Sequence, residues 1–138
     1  MWTKLLRAHA AVAQQLGSRL VAAHGLTIND YETLAALSRA PRRRMRRTDL
    51  ARHLLLTPSG VTRLLARLTG AGLVERTSSD VDLRVAYAQL TEAGAAKLEA
   101  ASGGHADAIQ DLLQNHLSAS EFAKLGDLLD KLADASYT

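Results

Sequence analysis

The segment from Thr48 to Gly94 constrains the fold more than any other part of the sequence. Thr57 and Pro58 suit the cap and first turn of a helix, because threonine caps a free backbone N–H and proline has none to lose. Apolar residues then recur with the spacing of one buried helix face: Val61, Leu64, Leu65 and Leu68. A shorter helical pattern over 47–55 precedes it, with three inner residues: Leu50, Ala51 and Leu54.

Two strand patterns follow the second of these helices. Gly70 and Gly72 end the helix, and the stretches 73–76 and 83–90 have the composition of strands joined by the polar loop TSSDVD. Two short helices followed by such a hairpin are the order of elements in a winged helix-turn-helix, whose second helix enters the DNA major groove. The sequence therefore predicts a mainly α fold with a small β-hairpin wing.

Two further helices are predicted before this segment. Apolar spacing indicates one over 3–23, and Gly25 suits its end because glycine readily adopts a left-handed conformation. Thr27 is a good cap for a second helix over 28–39, which Pro41 stops. This helix is expected to bury Tyr31, Leu34, Ala35 and Leu37.

Helices are also predicted after the hairpin. Thr91 suits the cap of a fifth helix, and Ser118 with Glu121 forms the capping-box pattern that begins a sixth. Gly103 and Gly104 interrupt the fifth helical pattern at a cost on the order of 1 kcal/mol each relative to alanine. We expect a kink at this pair, or two shorter helices.

Positive charge is concentrated in the centre of the chain. Residues 39–84 contain eleven arginines and four acidic residues, a balance of +7, whereas the remainder has six basic and ten acidic residues, a balance of −4. This asymmetry indicates a polyanion-binding surface, since arginine suits bidentate contacts to phosphate and guanine. Clustering of ordinary solubilising charge is the alternative. The arginine-rich run 39–47 is either a solvated connector or a contact to the phosphate backbone.

Composition argues against several other classes of protein. The absence of cysteine excludes disulfides and thiolate metal sites, and no apolar run is long enough to span a membrane. The first residues lack a secretory pattern, so the cytoplasm is the expected location, on the nucleoid when DNA is bound. No catalytic motif is present, so we expect no enzyme, metal or cofactor. His105 with Asp107, or His116, could suggest a metal ligand, but solvated helix-surface histidines are the expectation.

The order of elements and three stretches make the chain resemble the MarR family of bacterial transcriptional regulators. The stretches are TDLARHLLLTPSGVTRLLARLTGAGLVER, Asp82-Leu83-Arg84 and AQLTEAG at 88–94. The resemblance covers nearly the whole chain. It implies a dimeric transcriptional regulator that binds a specific, pseudo-palindromic operator in double-stranded DNA. The regulator is expected to repress nearby genes, and a small phenolic or anionic ligand is expected to relieve this repression. A winged-helix protein-interaction module without DNA binding is the alternative.

The resemblance also assigns roles to particular residues. Four residues on the exposed face of the recognition helix are expected in the major groove: Ser59, Thr62, Arg63 and Arg67. Arg84 is expected in the minor groove, with Asp82 orienting the wing and Arg76 contacting phosphate or Asp82. Arg46 and Arg47 complete the expected DNA-binding set. Two positions depart from the family, because Leu83 stands where a second basic residue is common and Arg46 where a Ser or Thr cap is common.

The family further implies a homodimer held by the first, fifth and sixth helices. The predicted division is therefore 1–26 and 91–138 for a helical dimerisation region and 27–90 for the DNA-binding domain. Leucine-rich stripes on the terminal helices agree, although packing of these helices on each other within one chain is the alternative. Position alone suggests four residues for a ligand pocket: Arg7, Leu16, His24 and Tyr31. For Tyr31, a place in the core is the alternative.

Overall fold

A computed structural model describes residues 1–135 of the chain. Within those residues six helices surround a three-stranded antiparallel sheet, as the predicted fold class requires. The helices are α1 (Trp2–His24), α2 (Ile28–Arg39), α3 (Arg47–Leu54), α4 (Pro58–Gly70), α5 (Glu92–Gln114) and α6 (Ala119–Ala135). The strands are β1 (Arg44–Arg46), β2 (Val74–Ser78) and β3 (Ala86–Leu90).

Local capping interactions set most helix boundaries. Gly25 ends α1 with φ 67°, and Thr27 forms a complete capping box with Asp30 at the start of α2. In this box Thr27 Oγ1 accepts a hydrogen bond from the Asp30 N–H, and Asp30 Oδ2 accepts one from the Thr27 N–H, both at 3.0 Å. Thr57 and Thr91 accept hydrogen bonds from the third residues of α4 and α5. These four predicted caps are confirmed.

The sheet contains one more strand than the sequence predicted. The strand order is β1-β3-β2, and β1 pairs with β3 so that Arg46 lies opposite Tyr87. The interpretation of 39–47 as a connector is therefore wrong for Arg44–Arg46. The expected strand 83–90 is also too long, because a turn in which Asp82 O accepts the Val85 N–H delays the start of β3 to Ala86.

The turn that leads into β1 is strained. Arg42 and Arg43 adopt φ of 56° and 55°, and Leu55, at the end of α3, adopts 56°. A left-handed conformation costs about 1–2 kcal/mol for a residue with a side chain. Packing around the short 3-10 turn Pro41–Arg43 must therefore offset this cost.

The main core lies between α2, α3, α4 and the inner face of the sheet. Its most deeply buried side chains are Leu34, Leu37, Leu50 and Val61. Tyr31 is partly buried and packs against this core. Because Gly94 lacks a side chain, the start of α5 can approach the backbone of Leu73 closely. The buried face of α4 is part of this core, so the core fixes which face of the helix is exposed.

Helix α5 continues without interruption through Gly103 and Gly104, so the expected kink is wrong. Ala101 and His105 on one side, and Ala108 beyond, are buried and hold the helix against its neighbours. The glycines themselves face open space in this chain. Tertiary packing therefore outweighs the low helix propensity of the pair. Within residues 1–135, no helix has the length and hydropathy needed to cross a membrane.

Candidate nucleic-acid interface

Helix α4 has two contrasting faces. Its four predicted core residues are buried, whereas Ser59, Thr62, Arg63 and Arg67 are exposed. The Thr62 hydroxyl donates to the Pro58 carbonyl at 3.0 Å, which orients the side chain along the helix. An exposed face of small polar groups and guanidinium groups is suited to base edges and phosphates.

The two arginines of this face have different surroundings. Arg63 makes no hydrogen bond or ion pair with any residue in 1–135, so its guanidinium group is available to a ligand. Arg67 Nη2 instead donates to Asp30 Oδ1 at 2.5 Å. The side chain of Asp30 is only 6% exposed, while that of Arg67 is 53% exposed. Arg67 therefore connects α4 to the capped start of α2.

The start of α3 lies beside the recognition helix. Arg47 Nη1 donates to Thr62 Oγ1 at 3.4 Å, which brings the guanidinium group of Arg47 to the exposed face of α4. Arg46 precedes α3 without making a side-chain cap, and its guanidinium carbon lies 6.0 Å from the centre of the Tyr87 ring. Arg46, Arg47 and the exposed face of α4 thus form one basic surface.

The wing loop between β2 and β3 is organised by Asp82. One carboxylate oxygen of Asp82 accepts from the Arg84 backbone N–H at 3.0 Å and from Arg84 Nε at 3.1 Å. These hydrogen bonds lower the pKa of Asp82, and the bond from the side chain of Arg84 has the larger effect. The geometry holds Arg84 at the tip of the wing, beside the exposed side chains of Val81 and Leu83.

Arg76 is not a partner of Asp82. It lies exposed on β2, opposite Ala88, and faces the side of the sheet near Arg47 and Thr69. The alternative that Arg76 pairs with Asp82 is therefore wrong, because Arg84 is only two residues away and occupies the carboxylate. A contact of Arg76 with phosphate stays a prediction.

A cavity of about 230 Å³ lies between α1 and α5. Two of the four suggested ligand residues, Leu16 and His24, line it. The other two residues do not line the cavity. The centre of the Tyr31 ring lies 4.3 Å from the centre of the His105 ring, and Arg7 is exposed on α1. The ligand residues suggested from the sequence did not include four polar residues of the lining: Arg19, His105, Asp107 and Asp111.

His105 is buried, so its expected position on a solvated helix surface is wrong. It is only 9% exposed, and its Nδ1 atom has no hydrogen-bond partner in the described chain. Burial lowers the pKa of the imidazole by disfavouring its charged form. Its place three residues before buried Ala108 and four after buried Ala101 was a signal that could have identified it. Among residues 1–135, no group of three potential ligands is arranged to hold a metal ion.

Comparisons with known proteins agree with this geometry. A model of the MarR family matches residues 24–84. The HTH-type transcriptional repressor YetL of Bacillus subtilis (strain 168) is 32% identical over 115 residues, which cover 81% of this chain and 69% of YetL.

Solved structures of similar proteins include complexes with DNA. Sco3205, a MarR family transcriptional regulator from Streptomyces coelicolor solved in complex with DNA, is 29% identical with a TM-score of 0.85, over 97% of this chain and 84% of that one. A mutant MarR from E. coli complexed with operator DNA is 26% identical with a TM-score of 0.81, over 94% and 91% of the two chains.

Proposed function

Since this chain belongs to the MarR family of DNA-binding transcriptional regulators, which are not enzymes, we propose that it is a homodimeric repressor. In this proposal it binds a pseudo-palindromic operator near the genes it controls and leaves it when a small anionic or phenolic ligand binds. The relative YetL is a repressor, and the likeness to it supports this sign of regulation.

The observation that carries the proposal is the exposed face of α4. Thr62 and Arg63 lie on it, Arg47 adjoins it, and the opposite face is anchored in the core. A helix that exposes guanidinium and hydroxyl groups on one face fits base readout in the major groove. A protein-interaction module would instead call for an acidic or apolar face. We assign direct readout to Ser59, Thr62 and Arg63, minor-groove contact to Arg84, and phosphate contacts to Arg46, Arg47 and Arg76.

The homodimer is supported by apolar surface on the terminal helices. Trp2 of α1 is 69% exposed and Leu132 of α6 is 60% exposed, and no side chain in 119–134 is buried. An exposed apolar surface of this kind marks an interaction site. A second copy of the chain carries the same surface, so the two copies can bury it in a symmetric interface. We therefore assign 1–26 and 91–138 to dimerisation and 27–90 to DNA binding; residues 136–138 lie outside the described part.

The test of DNA binding is selection of bound sequences from random DNA, at one stated salt concentration, for the wild type and Arg63→Ala. We expect the wild type to select a two-fold symmetric site with half-sites about one helical turn apart. Arg63→Ala should lose one preferred base in each half-site. Light scattering should give the mass of two chains. Selection of no preferred sequence, or a monomer that binds one half-site, would contradict the proposal.

The ligand part of the proposal rests on the cavity between α1 and α5. It combines the guanidinium group of Arg19 and the imidazole of His24 with the unpartnered Nδ1 of buried His105, and Asp107 and Asp111 also line it. Such a site suits a small carboxylic acid or phenol. The cavity is also close to Tyr31 of α2, whose capped start is bonded to the recognition helix.

Thermal unfolding with salicylate as the probe tests this cavity. A ligand at about 100 times its Kd stabilises the folded state by about 2.7 kcal/mol. We expect a higher melting temperature for the wild type and for the matched control Arg7→Gln, and a smaller rise for Arg19→Gln. If Arg7→Gln abolishes the rise and Arg19→Gln leaves it intact, the ligand binds elsewhere on α1.

A further inference from the structure

The arginines that precede α3 lie on the outer face of the wing sheet. Arg44 and Arg46 alternate with Met45 along β1, so both point to the side opposite the core, which Met45 contacts. The strand is at the edge of the sheet. The residues assigned singly to DNA binding include Arg46 but neither Arg42 nor Arg44, which the sequence covered only as part of the run 39–47.

Tyr87 of β3 organises these side chains. The guanidinium carbon of Arg44 lies 4.3 Å from the centre of the Tyr87 ring, and that of Arg46 lies 6.0 Å from it. Arg44 extends across the ring towards β2, where its Nη1 donates to the Ser78 carbonyl at 3.5 Å. Both guanidinium groups thus lie against the ring, that of Arg46 at the limit of a cation–π contact, and the ring does not neutralise their charge.

The surface continues in both directions. At one end Arg47, next to Arg46, contacts Thr62 on the recognition helix. At the other end Arg42 reaches the wing loop, where its Nη1 lies 3.4 Å from Asp80 Oδ2. We call the surface formed by Arg42, Arg44, Arg46, Arg47 and Tyr87 the arginine track. It joins the recognition helix to the wing over the outside of the sheet.

The ion pair between Arg42 of this track and Asp80 of the wing loop is weak. The side chains of Arg42 and Asp80 are 70% and 84% exposed, and an ion pair so open to water contributes little stability. A phosphate can therefore replace Asp80 at small cost. Arg42 and Arg43 both have left-handed backbone conformations. Such backbone strain persists only where the surrounding structure holds the residue in place.

We propose that the arginine track binds DNA phosphates on the wing side of each half-site, beyond the base pairs that α4 reads. The proposal rests on the proposed function, since it concerns the same DNA. Continuity with α4 through Arg47 and Thr62 favours DNA over an acidic protein as the partner. Guanidinium groups along an edge match a row of phosphates.

The experiment compares two duplexes that carry the site selected from random DNA. The short duplex ends at the selected site, and the long duplex adds about one helical turn of unrelated sequence on each side. The wild type should bind the long duplex on the order of tenfold more tightly. Arg42→Gln with Arg44→Gln should remove this gain while keeping the affinity for the short duplex.

Salt dependence and footprinting identify the contacts. Loss of two phosphate contacts per protomer should lower the slope of log affinity against log salt by about 3–4 for a dimer on the long duplex. Hydroxyl-radical protection of the flanks should disappear as well. Arg42→Lys with Arg44→Lys should retain most of the slope. The charge-matched control Lys124→Gln with Lys131→Gln lies on α6, so light scattering must first show that it is still a dimer; it should then leave flank binding unchanged.

Several outcomes would overturn the inference. Equal wild-type affinity for both duplexes would show that the flanks are not contacted, while specific binding to the short duplex would leave the proposed function intact. An equal loss on both duplexes would place the track inside the half-site. If the glutamine variant binds both duplexes as the wild type does, the track has another partner, such as an acidic protein. Absence of specific binding to either duplex would instead refute the proposed function.

Discussion

The contrast between Arg63 and Arg67 leads to a prediction about stability and recognition together. Both are exposed on α4, four residues apart, but within residues 1–135 only Arg67 is bonded to another side chain, that of Asp30. Arg67→Ala should therefore destabilise the fold, whereas Arg63→Ala should not. Arg67 was expected to contact the major groove, and its contact with Asp30 makes it a positioning residue in our interpretation.

The size of the effect follows from the burial of the two partners. A hydrogen bond to a charged group is worth about 1.5–3 kcal/mol, and water competes for the half-exposed side of Arg67. We therefore expect Arg67→Ala to cost about 1–2 kcal/mol. Asp30→Ala also removes the bond from the Thr27 N–H to Asp30 Oδ2, which is one half of the capping box of α2 and adds about 1 kcal/mol. Arg63→Ala should lie within about 0.5 kcal/mol of the wild type.

The assay is urea unfolding followed by circular dichroism, at one protomer concentration because a dimer unfolds in a concentration-dependent way. Arg67→Ala should lower the urea midpoint by about 0.5–1 M for an m value of about 2 kcal/mol/M. In DNA titrations it should weaken all sites similarly, while Arg63→Ala should lose one base preference. A fully stable Arg67→Ala that loses one base preference would refute the argument and return Arg67 to direct readout.

Three other substitutions test the backbone and the buried histidine. Gly94→Ala would press a methyl group into the carbonyl of Leu73 and should lower the free energy of unfolding by about 3 kcal/mol or more. Gly103→Ala in the same helix meets open space and should raise the free energy of unfolding by about 1 kcal/mol. Similar unfolding midpoints for the two variants would contradict this. Leu55 is 91% exposed and has a left-handed backbone, so Leu55→Gly removes the backbone strain and should raise the free energy of unfolding by roughly 0.5–1 kcal/mol. A lower free energy of unfolding would show that the leucine side chain contributes packing. The lowered pKa of His105 means that the unfolded chain binds its proton more readily, so stability should be full above about pH 6.5 and fall as the pH drops below it. His105→Gln should flatten that fall in unfolding experiments at pH 7 and 5, and an unchanged pH dependence would exclude this origin.

Elements governed by local interactions were predictable from the sequence. The bounds of α2 match because Thr27 caps its start and Pro41 stops it. The core face of α4 was correct because its apolar spacing allows only one buried side. The exposed face of α4 followed from the same pattern, and with it the residues of the candidate interface.

Elements governed by distant partners were not predictable. Strand β1 has three residues, two of them arginines, and becomes a strand only because β3 offers a free edge. His105 and its neighbours carry no pattern that reveals a cavity, because the cavity forms only where α1 packs on α5. The pair Arg67 and Asp30 joins residues 37 positions apart.

The sequence by itself therefore determined which segments are helical, which face of α4 is free and where positive charge accumulates. These properties depend on residues within a few positions of each other, through caps, turn residues and hydrophobic periodicity. Only the tertiary structure decided that Arg67 is bonded to Asp30 while Arg63 has no such partner in the described residues, and that Arg42 and Arg44 extend the basic surface to the wing. Those outcomes depend on which segments pack together, and pairwise contacts between distant residues leave no periodic signal in a single chain.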